Sequence, residues 1–470
     1  MKYFLDPFGC VKNQVDAENM MAHLNGAGWE NTTDADLADL IIVNTCGFIE
    51  SAKKESINAV IEWRKHYPNK KILAAGCLSQ RYTKELPELL TEADAFIGTE
   101  DPAKIVQAAN NVTAFSSNST LNSQLSIHNS TGERPLLSLP GSAYVKISEG
   151  CSNCCSYCAI PLIRGNLVSR TIPDIVEECR ALLKRGIVEL NIIGQDIGAY
   201  GTDFEIEPAQ SEGTKIEIKE KSKLPELLNA ISELKGNFWV RLLYIHPDHF
   251  PLEILDLMVR DKRFLPYFDI PFQHSSAKIL TAMNRNKTAV CDNFLNRYLA
   301  LIENIRFRLP DAVIRSTFLI GFPGETEEDF TELLDFQQKA KLDWLGCFVY
   351  SREEGTAAYT MKERVPARTA NMRKLKIEEL QIPITEKNMD RFTGLKLDVL
   401  IEEQFASEAA ESAAEPCADD DYLWLGRLFC HAPEIDGAAV IVSAEKDQKI
   451  GTLKKCKVTA RRGFDLEVCI

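Results

Sequence analysis

Short apolar runs alternate with amphipathic segments over the first 109 residues. The predicted strands are residues 2–5, 40–45 and 71–76, and the predicted helices are residues 15–25, 49–65 and 83–90. This alternation is typical of a parallel sheet covered by helices. The pattern stops at residues 110–135, which are rich in Asn, Ser and Thr and have no means of burying a core. We expect that stretch to be a linker.

A second unit opens near residue 143 and continues to about residue 375. Its predicted strands are residues 143–147, 188–193, 238–243, 267–270, 313–320 and 344–350. Helical segments separate these strands, and six strand–helix steps predict an open or partial β/α barrel, whose active site would lie at the C-terminal ends of the strands. The charged residues 203–223 are expected to be an insertion between a strand and the next helix.

The last part of the chain, from about residue 392, consists of short alternating strands. The predicted strands are residues 397–401, 438–442 and 466–470. Short strands of this kind predict a small β-barrel. Residues 407–421, which are rich in Ala, Glu and Asp, are expected to form a mobile loop within it.

The composition is that of a globular chain with several domains. The 470 residues are 45% hydrophobic, and 54 Lys and Arg against 68 Asp and Glu give a net charge of −14. No apolar run reaches the roughly 18 residues of a membrane-spanning helix, and no secretion signal is evident, so we expect a cytoplasmic protein without membrane contact. The acidic balance argues against a chain that grips nucleic acid mainly through phosphates. In a reducing compartment the 14 cysteines are expected to be ligands, catalysts or buried side chains.

The densest group of cysteines is Cys151-x-x-x-Cys155-x-x-Cys158, just after a predicted strand. Three thiolates so close in sequence can bind three irons of a four-iron cluster and leave the fourth without a protein ligand. A structural zinc site needs four ligands and usually a second pair of cysteines, which is absent here. The spacing therefore favours an iron–sulfur cluster over zinc or buried thiols. Cys154 fits the spacing less well, and we interpret it as a bystander.

Cys10, Cys46 and Cys77 are far apart in sequence, yet each follows a predicted strand of the first unit. In a parallel sheet the loops after the strands emerge at one carboxyl edge, where ligands bind in α/β folds. The three thiols can therefore meet there. The alternative is three unrelated buried cysteines, since Cys is common in protein cores.

With these residues the chain resembles a known family. The motif at Cys151, Cys155 and Cys158 resembles that of radical S-adenosylmethionine (SAM) enzymes. The segments GCVKNQVDAEN, NTCGFIESA and AAGC resemble the N-terminal domain of the methylthiotransferases, and the C-terminal unit resembles a TRAM β-barrel. Four segments favour the branch of that family that modifies a ribosomal protein over the branch that modifies tRNA: ELNIIGQD (189–196), PYFDIPFQHSS (266–276), EEGTAAY (353–359) and APEIDG (432–437).

The resemblance, which covers essentially the whole chain, implies a multidomain α/β plus β architecture. Residues 1–112 would form a flavodoxin-like N-terminal domain, 113–136 a polar linker, 137–375 a partial (β/α)6 radical SAM barrel and 380–470 a TRAM barrel of the OB-like type.

The resemblance also implies two 4Fe-4S clusters and SAM as cofactors. Cys151, Cys155 and Cys158 would hold the cluster that binds the amine and carboxylate of SAM for reductive cleavage to a 5′-deoxyadenosyl radical. Cys10, Cys46 and Cys77 would hold an auxiliary cluster whose sulfur is methylated by a first SAM before transfer. The implied acceptor is the β-carbon of an aspartate in small-subunit ribosomal protein twelve.

The resemblance further implies partners for this reaction. These are the ribosomal protein, free or in the ribosomal subunit, and a reducing electron-transfer protein, with nucleic acid not the primary substrate. One alternative is a tRNA adenosine methylthiotransferase with the same clusters. Another is an electron-transfer or cluster-carrier protein, which would leave the barrel without a role.

Several other residues are weaker candidates. Gly194, Gln195 and Asp196 end the second barrel strand, where such enzymes place groups that meet the methionine amine of SAM. The segment GFPGE (321–325) is a candidate neighbour of the adenine, although with Thr326 and Asp329 it is also typical of a turn and helix N-cap. Arg315 and His274 are either cofactor or substrate contacts or packed structural groups. The remaining cysteines are expected to be structural: Cys179, Cys291, Cys347, Cys417, Cys430, Cys456 and Cys469.

The C-terminal unit carries a basic strip that acidic residues surround in the sequence. The basic residues are Lys454, Lys455, Lys457, Arg461 and Arg462, and the acidic ones are Glu402, Glu403, Asp419, Asp420, Asp421, Glu434 and Asp436. Such a surface suits a cationic protein better than a phosphate backbone.

Overall fold

The computed structural model describes residues 1–113, 133–204, 221–285, 294–405 and 422–470. Most of the predicted linker, the insertion after residue 204 and the loop before residue 422 lie outside these ranges. So do Cys291, Cys417 and the acidic residues Asp419, Asp420 and Asp421. Within the described residues, no helix is both long and apolar enough to cross a membrane.

Five parallel strands form the first sheet, in the order β2-β1-β3-β4-β5 of flavodoxin-like folds. The strands are β1 (Lys2–Pro7), β2 (Glu30–Asn31), β3 (Leu40–Thr45), β4 (Lys71–Gly76) and β5 (Ala95–Ile97). The helices are α1 (Val11–Gly26), α2 (Glu50–His66), α3 (Cys77–Arg81), α4 (Leu86–Leu89) and α5 (Lys104–Thr113), with a 3-10 turn at Ala35–Leu37. All six residues of β3 are buried, as expected for a central strand with both faces covered.

The helix predicted at residues 83–90 is wrong in its extent. Only α4 lies in this region, and α3 ends before it at Arg81. A proline in the first turn of α4 explains its late start, because a proline ring fits the first turn of a helix but not its interior.

The second sheet has six parallel strands in the order β13-β12-β11-β10-β9-β6, and this open arrangement confirms the expected partial barrel. Its six strands are β6 (Ser142–Lys146), β9 (Glu189–Ile193), β10 (Trp239–Leu242), β11 (Phe264–Asp269), β12 (Val313–Ile320) and β13 (Trp344–Val349). Two further short strands, β7 (Ser148–Glu149) and β8 (Val168–Ser169), form a separate antiparallel ribbon. The helices are α6 (Ile160–Arg164), α7 (Ile172–Lys184), α8 (Leu224–Ser232), α9 (Glu253–Arg260), α10 (Ala277–Ala282), α11 (Phe294–Arg308) and α12 (Glu327–Ala340), and 3-10 turns lie at Ile197–Ala199, Pro247–His249 and Ala357–Thr360.

A long helix, α13 (Ala367–Asp390), joins the partial barrel to the C-terminal unit. The expected division between residues 375 and 380 falls inside this continuous helix. Before that division Arg373 pairs with Glu325 at 2.6 Å, and after it Gln381 donates to the carbonyl of Leu342 at 2.8 Å. The helix therefore packs on the barrel on both sides of the division.

The C-terminal unit is a closed barrel of five strands, as expected. The strands are β14 (Lys396–Gln404), β15 (Tyr422–Arg427), β16 (Ala439–Ser443), β17 (Leu453–Arg462) and β18 (Asp465–Cys469). The small barrel covers the N-terminal end of the second sheet, where Arg427 pairs with the first residue of β9, Glu189, at 2.5 Å. The opposite, C-terminal end of that sheet faces the first unit.

Candidate active site between the two α/β units

The loops that carry Cys10, Cys46 and Cys77 lie side by side, because β1 pairs with β3 and β3 with β4. Cys10 is the N-cap of α1, Cys46 follows β3 directly and Cys77 opens α3. The sequence-based expectation that these strand ends meet agrees with the observed strand order.

Asn13 holds these loops together. Its side-chain amide donates to the carbonyls of Phe8 at 2.6 Å and Thr45 at 3.3 Å, and its side-chain oxygen accepts from the Cys77 thiol at 3.7 Å. Gly9 has φ +92° and a side chain there would lie 3.0 Å from Cys46 Cβ, so glycine allows the loop of Cys10 to approach Cys46.

The loop of Cys151, Cys155 and Cys158 packs against the end of α10. The amide of Ser156 donates to the carbonyl of Met283 at 3.0 Å, and Asn284 donates to the carbonyl of Cys154 at 2.8 Å. Cys154 has φ +51° and is exposed. This packing fixes a loop that has no helix or strand of its own.

Both groups of cysteines line one cavity of about 430 Å³ between the first sheet and the barrel mouth. Cys10, Cys46 and Cys77 come from one side, and Cys151, Cys154, Cys155 and Cys158 from the other. The remaining wall is mixed: apolar side chains such as Phe48, Ile163 and Phe348 alternate with polar ones such as Lys12, Gln195 and Gln273. A larger outer groove of about 780 Å³ borders the same loop at Cys151 and Asn153 but contacts no cysteine of the first unit.

Each group of thiols has one buried arginine beside it. Arg164 donates to Cys77 Sγ at 3.2 Å, and Arg285 donates to Cys155 Sγ at 3.9 Å. Arg164 also pairs with Asp16 and Glu149, each at 2.8 Å, and Lys146 pairs with the same two carboxylates. Burial would raise the pKa of Glu149, but Lys146 and Arg164 hold it far below its usual range. The contact between the two units is therefore a buried ion network that ends at a thiol.

The six thiols differ in exposure: Cys46 and Cys77 are buried, Cys151, Cys155 and Cys158 are half-buried, and Cys10 is exposed. Burial raises the pKa of Cys77, Cys151 and Cys158 to about 12, and it raises that of Cys46 as well. Without a bound metal these thiols stay protonated at neutral pH, whereas a metal ion deprotonates a coordinating thiol outright. Three thiols from each side, each group with a cation nearby, fit the donor set that iron–sulfur clusters require.

A mononuclear metal site is a different case. Among the described residues, no three His, Cys, Asp or Glu side chains converge as the ligands of a single ion. The thiols of a cluster bind different irons and do not converge on one atom, so this observation does not bear on the cluster assignment.

Of the three residues at the end of β9, Gln195 and Asp196 line the cavity. Gln195 donates to Glu149 at 3.2 Å, while its buried side-chain oxygen has no partner among the described residues. Asp196 accepts hydrogen bonds from Asn153 at 2.8 Å and from the backbone amide of His246 at 3.0 Å, and it contacts His249 at 2.6 Å. Gly194 lies close to Ser148, since a side chain there would come within 2.9 Å of its hydroxyl.

Two other candidates from the sequence, His274 and Arg315, have structural partners. Buried His274 accepts from the amides of Ser275 and Ser276, each at 3.0 Å, and Arg315 pairs with Asp269 at 3.1 Å. Thr326 and Asp329 form a capping box on α12, which agrees with the turn and N-cap interpretation of the GFPGE segment. Its place beside the adenine stays a prediction. Of the cysteines expected to be structural, Cys179, Cys347, Cys430 and Cys456 are buried and Cys469 is exposed.

The acidic surroundings expected for the basic strip are partly wrong. The side chains of Glu402 and Asp436 are only 8% and 2% exposed, because they pair with Arg427 and Arg315 where the C-terminal barrel meets the larger one. Lys454, Lys455 and Lys457 are exposed, as is Arg462.

Sequence spacing missed the charged lining of the cavity. Lys12, Arg164 and Arg285 lie in it, yet they come from α1, α6 and the segment after α10. Of the three, only Lys12 lies within a segment that carries the family resemblance, GCVKNQVDAEN. Their common position follows from tertiary packing, which single-sequence patterns do not contain.

Comparison with known proteins agrees with this architecture. An uncharacterized protein family, UPF0004, matches residues 2–98, the radical SAM superfamily matches residues 145–336, and the TRAM domain matches residues 393–470. A protein from Treponema denticola named ribosomal protein uS12 methylthiotransferase RimO is 44% identical over 98% of this chain and 99% of its own length. Proteins of the same name from Aquifex aeolicus and Thermotoga maritima are 38% and 36% identical, each over 99% of this chain and over 96% and 99% of their own lengths.

The chain belongs to the RimO family of methylthiotransferases. It is therefore a radical SAM enzyme, and the RimO family uses SAM and 4Fe-4S clusters as cofactors. The branch that the four sequence segments favoured is confirmed. Among solved structures, the radical SAM methyltransferase TsrM from Kitasatospora setae gives a TM-score of 0.54 at 14% identity and covers 76% of each chain. At that identity the likeness shows the fold alone.

Proposed function

We propose that this chain transfers a methylthio group to the β-carbon of an aspartate in ribosomal protein uS12, the small-subunit protein twelve. Cys151, Cys155 and Cys158 would hold the 4Fe-4S cluster that binds SAM. Cys10, Cys46 and Cys77 would hold the auxiliary cluster. The observation that carries the proposal is the single cavity that all six thiols line. An acceptor aspartate in this cavity can reach both the SAM-binding cluster and the auxiliary cluster without leaving the site.

The cofactors supply the difficult chemistry: when bound, SAM provides both the methyl group and the 5′-deoxyadenosyl radical that removes hydrogen from an unactivated carbon. The chain orients the groups and excludes water. Apolar Phe48 and Ile163 line the cavity and would keep solvent away from the reacting carbon.

Gly194, Gln195 and Asp196 would serve the SAM end of the site in different ways. The free side-chain oxygen of Gln195 is an acceptor for the ammonium of SAM. Asp196 would be a positioning residue, since Asn153, His246 and His249 already occupy its oxygens. Gly194 would allow β9 to approach Ser148.

The net charge of −14 favours a cationic substrate protein over a nucleic acid, which we propose is not the primary substrate. We further propose that the enzyme works in the cytoplasm and receives electrons from a reducing electron-transfer protein. Whether uS12 is modified free or in the ribosomal subunit would be settled by offering both.

The test is mass spectrometry of an anaerobic reaction with the reconstituted full chain, SAM and a reductant, offered uS12 and bulk tRNA together. The expected result is a mass increase of one methylthio group on an aspartate of uS12, dependent on reductant. Modification of a tRNA adenosine instead, or of neither acceptor while SAM is cleaved, would contradict the proposal.

A further inference from the structure

Lys12 is the unusual cation of the cavity. Its side chain is 7% exposed, and its ammonium lies 2.9 Å from the centroid of the Tyr244 ring, across the contact between the first unit and the barrel. A cation on an aromatic face uses the ring and leaves its N–H groups available as donors. The ammonium therefore retains donors inside the cavity.

No carboxylate among the described residues pairs with Lys12. Glu149 is held by Lys146 and Arg164, and Asp269 is held by Arg315. The other two cationic side chains of the cavity are engaged, Arg164 by Asp16 and Glu149, and Arg285 by the carbonyl of Pro271 at 2.6 Å. A buried charge without a counterion is costly, so a free ammonium in a cavity is a site for an anion.

Lys12 does not serve its own helix either. It lies in the first turn of α1, where a cation opposes the helix macrodipole and an acidic residue would be favoured. The positive charge of Lys12 therefore has to be stabilised by a group outside α1.

We propose that Lys12 binds the side-chain carboxylate of the acceptor aspartate and so selects an acidic residue as substrate. The inference rests on the proposed function. The carboxylate of aspartate is bonded to the β-carbon, so an anchor on the carboxylate fixes the reacting carbon one bond away. Lys12 follows Cys10 by two residues and reaches Tyr244 at the barrel mouth, which puts this anchor between the two groups of thiols. An adenosine base has no anion next to its reacting carbon, so the same contact discriminates against it.

The test is a binding cycle with two forms of the enzyme and two of the substrate. Reconstituted wild type and Lys12→Met are titrated anaerobically with uS12 and with uS12 in which the modified aspartate is replaced by asparagine. Wild type should bind the aspartate form about ten-fold more tightly, the ratio expected for one charge-assisted hydrogen bond. Lys12→Met should bind both forms within about two-fold of each other, and Lys12→Arg should restore most of the preference.

Lys54→Met is the matched control, because it removes one lysine charge from an exposed position of α2 outside the cavity. It should keep the ten-fold preference. A preserved preference in Lys12→Met overturns the inference, and so does a loss of bound iron and sulfide in Lys12→Met, which would make Lys12 a support of the auxiliary cluster. Failure of wild type to modify uS12 would contradict the proposed function itself. If wild type modifies uS12 but Lys12→Met keeps the preference for the aspartate form, only the role of Lys12 is overturned.

Discussion

Two arginines give the two groups of thiols different surroundings. Arg164, beside Cys77, is tied to the carboxylates of Asp16 and Glu149, so its charge is shared with two anions. Arg285, beside Cys155, donates to neutral partners, the Tyr157 hydroxyl at 3.3 Å and a backbone carbonyl. Arg285 therefore offers its nearby thiol more net positive charge than Arg164 does. This difference matches two sites with separate tasks.

If the tasks are separate, single cysteine variants will separate them. Cys46→Ala should reduce methylthio transfer more than about a hundred-fold, since loss of a ligand exceeds the usual effect of an outer-sphere change, while reductive cleavage of SAM continues. Cys155→Ala should stop both activities. The measurement is quantification of 5′-deoxyadenosine and of modified uS12 in the same reaction.

Cys469→Ala is the control for these variants, because this thiol is exposed on the C-terminal barrel and belongs to neither group of cavity thiols. It should retain both activities. If Cys46→Ala lost SAM cleavage while its fold was preserved, the division of tasks between the two groups of thiols would be wrong.

At the scale of single residues, the sequence predicted ligand candidates better than their surroundings. The spacing of Cys151, Cys155 and Cys158 is a local signal, and Cys10, Cys46 and Cys77 were found because each follows a strand. The pairing of Arg164 with Asp16, by contrast, joins residues 148 positions apart in sequence. Such a contact depends on how two units pack, and one sequence has no pattern for it.

The position of the first group of thiols depends on close packing at the ends of the strands that precede them. Gly76 ends β4 directly before Cys77 and has φ +97°, and a side chain there would lie 2.6 Å from the carbonyl oxygen of Thr45 and 2.6 Å from Asn44 Oδ1. The neighbouring strand end leaves no room for a methyl group. The position of Cys77 thus depends on a residue without a side chain.

Gly76→Ala should destabilise the protein by about 3 kcal/mol or more, because it adds a steric clash to an unfavourable backbone conformation. Gly186→Ala is the matched control, with φ +90° and no atom within 4 Å of the added side chain. This variant should lower the free energy of unfolding by about 1 kcal/mol, which is the cost of the backbone conformation alone. Urea unfolding measures both, and iron content should fall only in Gly76→Ala. Equal destabilisation by the two variants would show that the contact with Thr45 is not tight.

At the scale of elements, the periodic patterns were reliable and the boundaries were not. The prediction of residues 313–320 coincides with β12, because eight largely apolar residues form an unambiguous buried strand. The helix predicted at residues 83–90 was placed by a weaker signal. Helix α13 carries Pro383 in its interior and still continues, since its buried face, including Ile377 and Met389, is held by the units on either side.

The whole molecule is closed at one end by its C-terminal barrel. Arg427 of that barrel and Arg241 of β10 both bind Glu189, and Tyr267 donates to Asp436 at 2.5 Å. Burial would raise the pKa of Glu189, but the two arginines lower it to about 2. Because removal of one partner leaves a buried charge unpaired, the third unit is part of the folded core. Lys454 and Lys457 of this unit are exposed.

The same junction contains a histidine that should make the protein sensitive to acid. His431 is fully buried, its ring lies 6.0 Å from that of Trp344, and both ring nitrogens lack a hydrogen-bond partner among the described residues. Burial, with Arg241 and Arg427 acting in the same direction, lowers its pKa to about 3. The unfolded chain, with an ordinary histidine pKa near 6.5, therefore binds a proton that the folded chain excludes.

The stability contribution of neutral His431 is thus complete above about pH 6.5 and is lost as the pH falls toward 3. Between pH 7 and pH 5 it should amount to about 2 kcal/mol. His431→Phe keeps an aromatic ring against Trp344. Between pH 7 and pH 5 its free energy of unfolding should fall by about 2 kcal/mol less than that of wild type. Urea unfolding at the two pH values measures this difference. His66→Phe, at an exposed position of α2, should leave the acid sensitivity of wild type unchanged. If His431→Phe is as acid-sensitive as wild type, the junction opens to water before His431 is protonated, and the C-terminal barrel does not seal the larger one.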